Sequence, residues 1–371
     1  MSKRKRTVRS FNTLVGREET RYNLKIFNVL KKEKAISISE ISAGADVPEE
    51  FVAGYINSCV KADLMKISGA HRGELVEFSD DHKKVLGVGF SQGKCYIKLL
   101  DLKGDVLGDK EIEIGRIGWN TAKTRDMRGI LDKIDGGGKE KNDDICLTGI
   151  ALPEDISDRN ASILADGING IFDSDVCMGK EPTPSGYIQK DLADRSKGRD
   201  VLYMHSDRGA GVVFKGEEVF EANAEDGEGR KYLKPWRQFS IVTAAKDLVC
   251  KGVGTDIVNM AGGNIDNITL EIVLSAAANK DELAEDLVKR SSLALGVRIA
   301  YLVNMFKPEI VVMGGGVEDK KSKFVQLTRE SVERFFIKGQ SAPEIVSGKT
   351  GGDVSSNGAA SLCRREIFME V

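Results

Sequence analysis

At 371 residues, 41 % hydrophobic and 30 % charged, with no apolar run near bilayer length, the sequence excludes a membrane span and leaves room for two or three globular domains. Six cysteines standing singly and only three histidines exclude a disulfide framework, a zinc ribbon and imidazole-rich metal catalysis, so neither metal nor cofactor is expected. The net charge of −2 is unevenly spread: residues 1–35 hold eleven Lys or Arg against three Glu, a local +8 that leaves −10 elsewhere.

The start, Met1 to Arg9, is charged and has no apolar stretch behind it, so it does not read as a secretory signal, and the cytoplasm is the expected compartment. Residues 1–20 read as a basic arm in which Lys3, Arg4, Lys5, Arg6 and Arg9 suit phosphate contact through counterion release. Leu24, Phe27 and Leu30 lie on one side of a 3.6-residue period and predict a helix from Arg21 to Leu30. Ser37 with Glu40 three residues on has the form of a capping box and opens a short second helix that Gly44 ends. Pro48 suits the first turn of a third helix, where its missing N–H is no loss, and Val52, Ile56 and Val60 supply that helix's buried stripe. Leu64 to Phe78 reads as two strands around Ser68, Gly69 and Gly73, with Arg72 at the tip. Residues 21–80 are therefore predicted to be a winged helix-turn-helix. Its recognition helix opens on Glu49 and Glu50, which repel a phosphate backbone; Ala53 and Gly54 offer no hydrogen bond, leaving Tyr55 and Asn57 as base readers.

From Lys84 the sequence alternates strand and helix signals, the pattern of an α/β fold. Strands are predicted at Val85–Phe90, Lys94–Asp101, Asp144–Ala151, Gly170–Asp173, Val201–His205 and Gly211–Phe214. A long helical region follows over Asp281–Phe306, ended by Lys307-Pro308. Ile310 to Met313 then runs into Gly314-Gly315-Gly316, a turn that lets backbone approach a ligand closely.

The run Ile38-Ser39-Glu40-Ile41 through Val47 and Val52 to Asp63-Leu64-Met65 resembles the N-terminal domain of ROK regulators. Leu86-Gly87-Val88-Gly89, Val201-Leu202-Tyr203, Leu293 to Asn304 with the triple glycine, and Asn357-Gly358-Ala359-Ala360-Ser361-Leu362 resemble the rest of that family in order. The resemblance implies an α/β chain with a winged helix-turn-helix ahead of a two-lobed actin-like (ribonuclease H-like) ATPase fold. Its lobes are expected at 81–190 and 191–371. It also implies DNA as partner, a small effector in the cleft between the lobes, and a homodimer or dimer of dimers through the C-terminal lobe.

A sugar kinase of this family needs phosphate-cradling loops, an Asp base and magnesium. At the matching positions Gly89 replaces the Asp of the first loop, and His205-Ser206-Asp207-Arg208 replaces a glycine-threonine-glycine turn. The base falls on Asp175 in Ser174-Asp175, and Glu228-Gly229-Arg230-Lys231 stands where the family has Glu, Gly-His and a zinc loop. Ser174, Asp175, Glu228, Lys231, Gly314 and Gly315 are thus the expected ligand residues, with no metal and no catalysis. The expected function is a DNA-binding transcription regulator. The alternatives are an interaction or sensor protein on the same fold and an atypical ATP-dependent sugar kinase.

Overall fold

A computed structural model gives the fold. It describes residues 7–12, 15–33, 35–69, 74–79, 83–91, 93–115, 117–119, 121–138, 144–193, 199–206, 209–222, 239–316, 323–337, 343–349 and 351–371. Contacts divide the chain into two units, Met1–Ile188 with Gly351–Val371, and Gln189–Thr350. The last stretch therefore packs in the first unit, a correction to the lobe expected over 191–371.

The first unit opens with β1 (Val8–Ser10) and then α1 (Glu18–Leu30), β2 (Ile36–Ser37), α2 (Ile38–Ala45), α3 (Glu49–Lys61), β3 (Met65–Ser68) and β4 (Leu75–Phe78). Ser37 and Glu40 form the reciprocal capping box that the sequence predicts, and Asp46 in the left-handed region closes α2. The strands pair in the order β2-β4-β3, so three helices and a short sheet close round Phe27, Ile41, Val52, Ile56 and Val76. These elements make up the segment predicted as a winged helix-turn-helix, hereafter the winged domain.

Next come β5 (Lys84–Ser91), β6 (Lys94–Asp101), β7 (Val106–Glu113), α4 (Thr124–Gly138), β8 (Ile145–Leu152), α5 (Asp158–Phe172), β9 (Asp175–Lys180) and α6 (Thr183–Ala193), within which the unit ends. The sheet order is β1-β9-β8-β5-β6-β7: β5, β6 and β7 form an antiparallel meander, and β8, β9 and β1 add in parallel. The strand expected at Gly170–Asp173 is instead the end of α5, closed by Asp173 in the left-handed region, and the strand follows it. Ile171 and Phe172 between Gly170 and Asp173 mimic a strand locally, but they pack as the helix's last turn against the sheet core.

In the second unit β10 (Val201–His205), β11 (Ala210–Lys215) and β12 (Glu218–Ala222) make another antiparallel meander. The helices α7 (Ile241–Cys250), α8 (Asp256–Met260), α9 (Leu270–Ala278) and α10 (Glu282–Phe306) lead to β13 (Ile310–Gly314), α11 (Lys323–Phe335) and β14 (Glu344–Ser347). The order β12-β11-β10-β13-β14 repeats the meander-plus-parallel pattern of the first sheet, and this duplication defines the actin-like ATPase fold. The chain returns to the first unit in α12 (Val354–Met369).

Side chains alternate along β5. Leu86, Val88 and Phe90 enter the core with Ile130, Ile134, Leu164 and Ile168 of α4 and α5. Gly87 and Gly89 face α12, as does Gly149 on β8. A Cβ at 87 would lie 2.8 Å from the Ala360 nitrogen, and one at 89 would lie 2.7 Å from the Ser356 nitrogen. Glycine is required at both because the helix backbone lies directly on the strand.

Candidate functional site

On α3 the structure separates the two residues read as base contacts. Asn57 is exposed, and so are Glu49 and Glu50 in the first turn. Tyr55 is only 5 % exposed; its hydroxyl donates to the Phe368 carbonyl at 2.7 Å, and burial holds its phenol well above the usual tyrosine range. It belongs to the core and cannot read bases, which corrects the expectation. The signal was present in its spacing, three residues after Val52 and four before Cys59, both fully buried.

The arm is also divided. Lys3, Arg4, Lys5 and Arg6 lie outside the described residues, as does Arg72, and Thr7 begins a strap along the sheet edge. Val8, Arg9 and Ser10 pair with Val176, Cys177 and Met178. Arg9 is not a free phosphate contact: both its terminal nitrogens donate to the Glu370 carboxylate, and its Nε donates to Cys177 Sγ at 3.2 Å. A strand pairing fixes which way its side chain points, and Glu370 lies there, so a cation read as a phosphate contact is consumed within the unit. Farther along, Glu366 accepts from the Asn12 backbone and side-chain nitrogens, each at 2.9 Å, while Arg365 donates to the Asn12 carbonyl.

Open α/β sheets bind ligands beyond the carboxyl ends of their parallel strands. Asp175 is at the other end of β9, where its Oδ1 accepts the Thr7 N–H at 2.7 Å. Neighbouring Ser174 is 4 % exposed and shares a 2.6 Å hydrogen bond with the Thr148 hydroxyl. Both residues fasten strands together at the amino end of the sheet, so the position assigned to the family's base does not face a ligand edge. Sequence reasoning missed Glu181, which follows the carboxyl end of β9. It is 9 % exposed, its N–H donates to the Leu152 carbonyl, and its carboxylate accepts from Ser185 Oγ at 2.9 Å. Placing the strand five residues too early hid it. At the same edge Gly89 leaves no volume for a carboxylate, because Ser355 and Ser356 of α12 fill it.

The carboxyl ends of β10 and β13 in the second unit carry the glycines. Gly314 is buried at the end of β13, and Gly315 and Gly316 have φ of 89° and 98°, values that favour glycine. The Gly314 carbonyl accepts the Ser206 N–H at 2.8 Å and the Ser206 hydroxyl at 2.6 Å. The space a Cβ would need at 315 is taken by the His205 ring, and at 314 by the Tyr203 ring, 2.6 Å and 2.7 Å away. These glycines therefore admit the chain's own aromatic rings. Asp207, Arg208, Glu228 and Lys231 lie outside the described residues.

Thiol chemistry finds no support in the buried cysteines. Burial pushes the Cys59 and Cys95 thiols up to about 12 and that of Cys177 up to about 11, which keeps them protonated. Among the described residues no three His, Cys, Asp or Glu side chains are grouped to hold a metal, and no helix is long and apolar enough to cross a membrane.

Comparison with known proteins agrees with this geometry. Over 355 residues the chain is 21 % identical to the xylose repressor of Caldicellulosiruptor bescii, covering 85 % of this chain and 88 % of the relative. A crystal structure of a ROK family transcriptional regulator, a homolog of the E. coli MLC protein, shares the fold with a TM-score of 0.66 at 15 % identity, covering 95 % of this chain and 97 % of that one. A ROK family glucokinase from Streptomyces griseus, solved with glucose and AMPPNP, has a TM-score of 0.57 at 18 % identity, covering 75 % of this chain and 98 % of the kinase. Residues 252–366 match the ROK family model.

Proposed function

We propose that the protein is a ROK-type transcription regulator that binds DNA through its winged domain and basic N-terminal segment and has no kinase activity. The observation that carries this reading is the filling of the first phosphate-loop position: α12 occupies the space at Gly89 that a metal-side carboxylate would need. Phosphoryl transfer depends on holding and neutralising phosphates, so loss of that group together with the closed Gly314 turn leaves little for the chemistry to use. The similarity to a xylose repressor over most of both chains points the same way. A small effector would meet the strand ends near Glu181, and the cytoplasm is the compartment that suits a DNA partner.

A gel shift with genomic fragments tests the binding: retardation that weakens steeply with salt is expected, and no retardation at low salt would refute it. Glu49 and Glu50, exposed at the start of α3, favour the second reading, a protein-docking module, and that negative result would select it. For the kinase alternative, titration calorimetry with ATP and magnesium is expected to show no binding between roughly 1 μM and 1 mM, the usual substrate range. Saturable binding there, with turnover of any hexose, would make the protein an atypical kinase.

The pairing through the C-terminal lobe has a surface to support it. Leu293, Tyr301 and Met305 on α10 are 45 %, 69 % and 68 % exposed and, with Val297 between the first two, recur every fourth residue along one helix stripe. An exposed apolar stripe of this kind marks an interaction site, and a two-fold axis across α10 would cover it with its own copy. Light scattering is expected to give a dimer or tetramer at micromolar concentration and to show its dissociation in the double variant Tyr301→Glu, Met305→Glu. A wild-type monomer would end the idea.

A further inference from the structure

The first unit ties both ends of α12 to other elements, in different ways. At its start the Asp353 carboxylate pairs with Lys98 of β6, whose side chain is buried. Ser355, 7 % exposed, has no partner for its Oγ and lies against Gly89. The Ser356 carbonyl and, one turn on, the Ala360 nitrogen sit over Gly87, and the Ala359 carbonyl and Cys363 sit over Gly149. Three glycines thus seat successive turns of the helix in the sheet, with helix backbone lying against each of them.

At its other end the helix is finished by the winged domain. The last carbonyls of an α-helix lack intrahelical donors. Here the Phe368 carbonyl accepts the Tyr55 hydroxyl of α3, and the Met369 carbonyl accepts Asn23 Nδ2 of α1 at 3.3 Å. The Phe368 ring stacks on Phe27 at 4.9 Å and meets Phe78 edge-on at 5.3 Å, so one side chain of α12 is part of the winged domain's core. Between the ends, Arg364 donates from Nε to the Leu102 carbonyl at 3.0 Å and from Nη2 to that of Lys103 at 2.6 Å.

We infer that α12 is the element through which the ligand edge of the first unit sets the position of the winged domain. The helix is 16 residues long, about 24 Å at 1.5 Å per residue. Its N-terminal turn lies at the carboxyl end of β5, and its C-terminal turn lies inside the winged domain. Close-packed contacts of this sort do not deform smoothly, so a group pressing on Ser355 or Gly89 moves the helix as a body, and Phe368 moves with it. The same contacts work in reverse: loosening the winged domain relaxes the helix's seat on the sheet. That the strand ends are the effector side rests on the function proposed above; the mechanical link between the two ends does not.

Amide hydrogen exchange on the full chain tests the link without DNA or effector. Gly89→Ala puts a methyl group against Ser355 and Ser356, and Lys98→Met releases Asp353 should the first variant fold poorly. Either is expected to raise exchange at least tenfold in α1 and α3, while Gly108→Ala, where a Cβ meets nothing within 4 Å, leaves both unchanged. Tyr55→Phe is expected to raise exchange in α12 as far as its first turns. Faster exchange confined to β5 and the start of α12, with α1 and α3 as in the wild type, would show that the helix absorbs the push and would overturn the inference. Because no DNA enters the experiment, its outcome is separate from that of the gel shift.

Discussion

Phe368→Ala is expected to destabilise the first unit by about 3–5 kcal/mol, the range for emptying a buried aromatic site. The ring is fully buried and lies between Phe27 and Phe78, so its removal takes out two aromatic contacts and leaves a cavity on both sides of the join between α12 and the winged domain. The effect should exceed that of Tyr55→Phe, which removes one hydrogen bond and leaves the Phe368 carbonyl unpaired, at about 1–3 kcal/mol. Urea unfolding followed by far-ultraviolet circular dichroism measures both. A loss below about 1 kcal/mol for Phe368→Ala would mean that the winged domain does not depend on α12 for its core.

Deleting residues 2–6 is expected to have the largest effect on DNA binding and almost none on stability. These residues carry Lys3, Arg4, Lys5 and Arg6, and if each neutralises one phosphate the slope of log affinity against log salt should fall by about 3 to 4. Arg9 should behave in the opposite way. Its guanidinium is held by Glu370 and Cys177, so Arg9→Met is expected to lower stability and leave the salt slope nearly as it was. An unchanged slope after the deletion would remove the arm from the interface, and a slope reduced as much by Arg9→Met would mean that the strap opens on DNA.

The features that were legible in the sequence are those governed by local periodicity and capping. The Ser37–Glu40 box and the stripe of Leu24, Phe27 and Leu30 each follow from interactions within a few residues. Tyr55 was misplaced because a tyrosine on a helix of mixed character can face either way until its partner is known. That partner, Phe368, is 313 residues away in sequence. Arg9 and Asp175 failed for the same reason: Glu370 and Thr7 become their neighbours only once β1 has joined β9 and α12 has folded back. Gly87 and Gly89 were read as family pattern, but their physical cause is a helix more than 260 residues later in the chain that needs their missing side chains.

We propose that the chain binds DNA by the winged domain and its basic segment. The most direct measurement is sequencing of the genomic DNA retained by the purified full-length protein at moderate salt, repeated with the 2–6 deletion. Regulation predicts a small set of enriched fragments sharing one motif, retained by the intact chain and depleted at least tenfold by the deletion. Fragments recovered in proportion to the genome, or equal recovery with and without the basic segment, would contradict it.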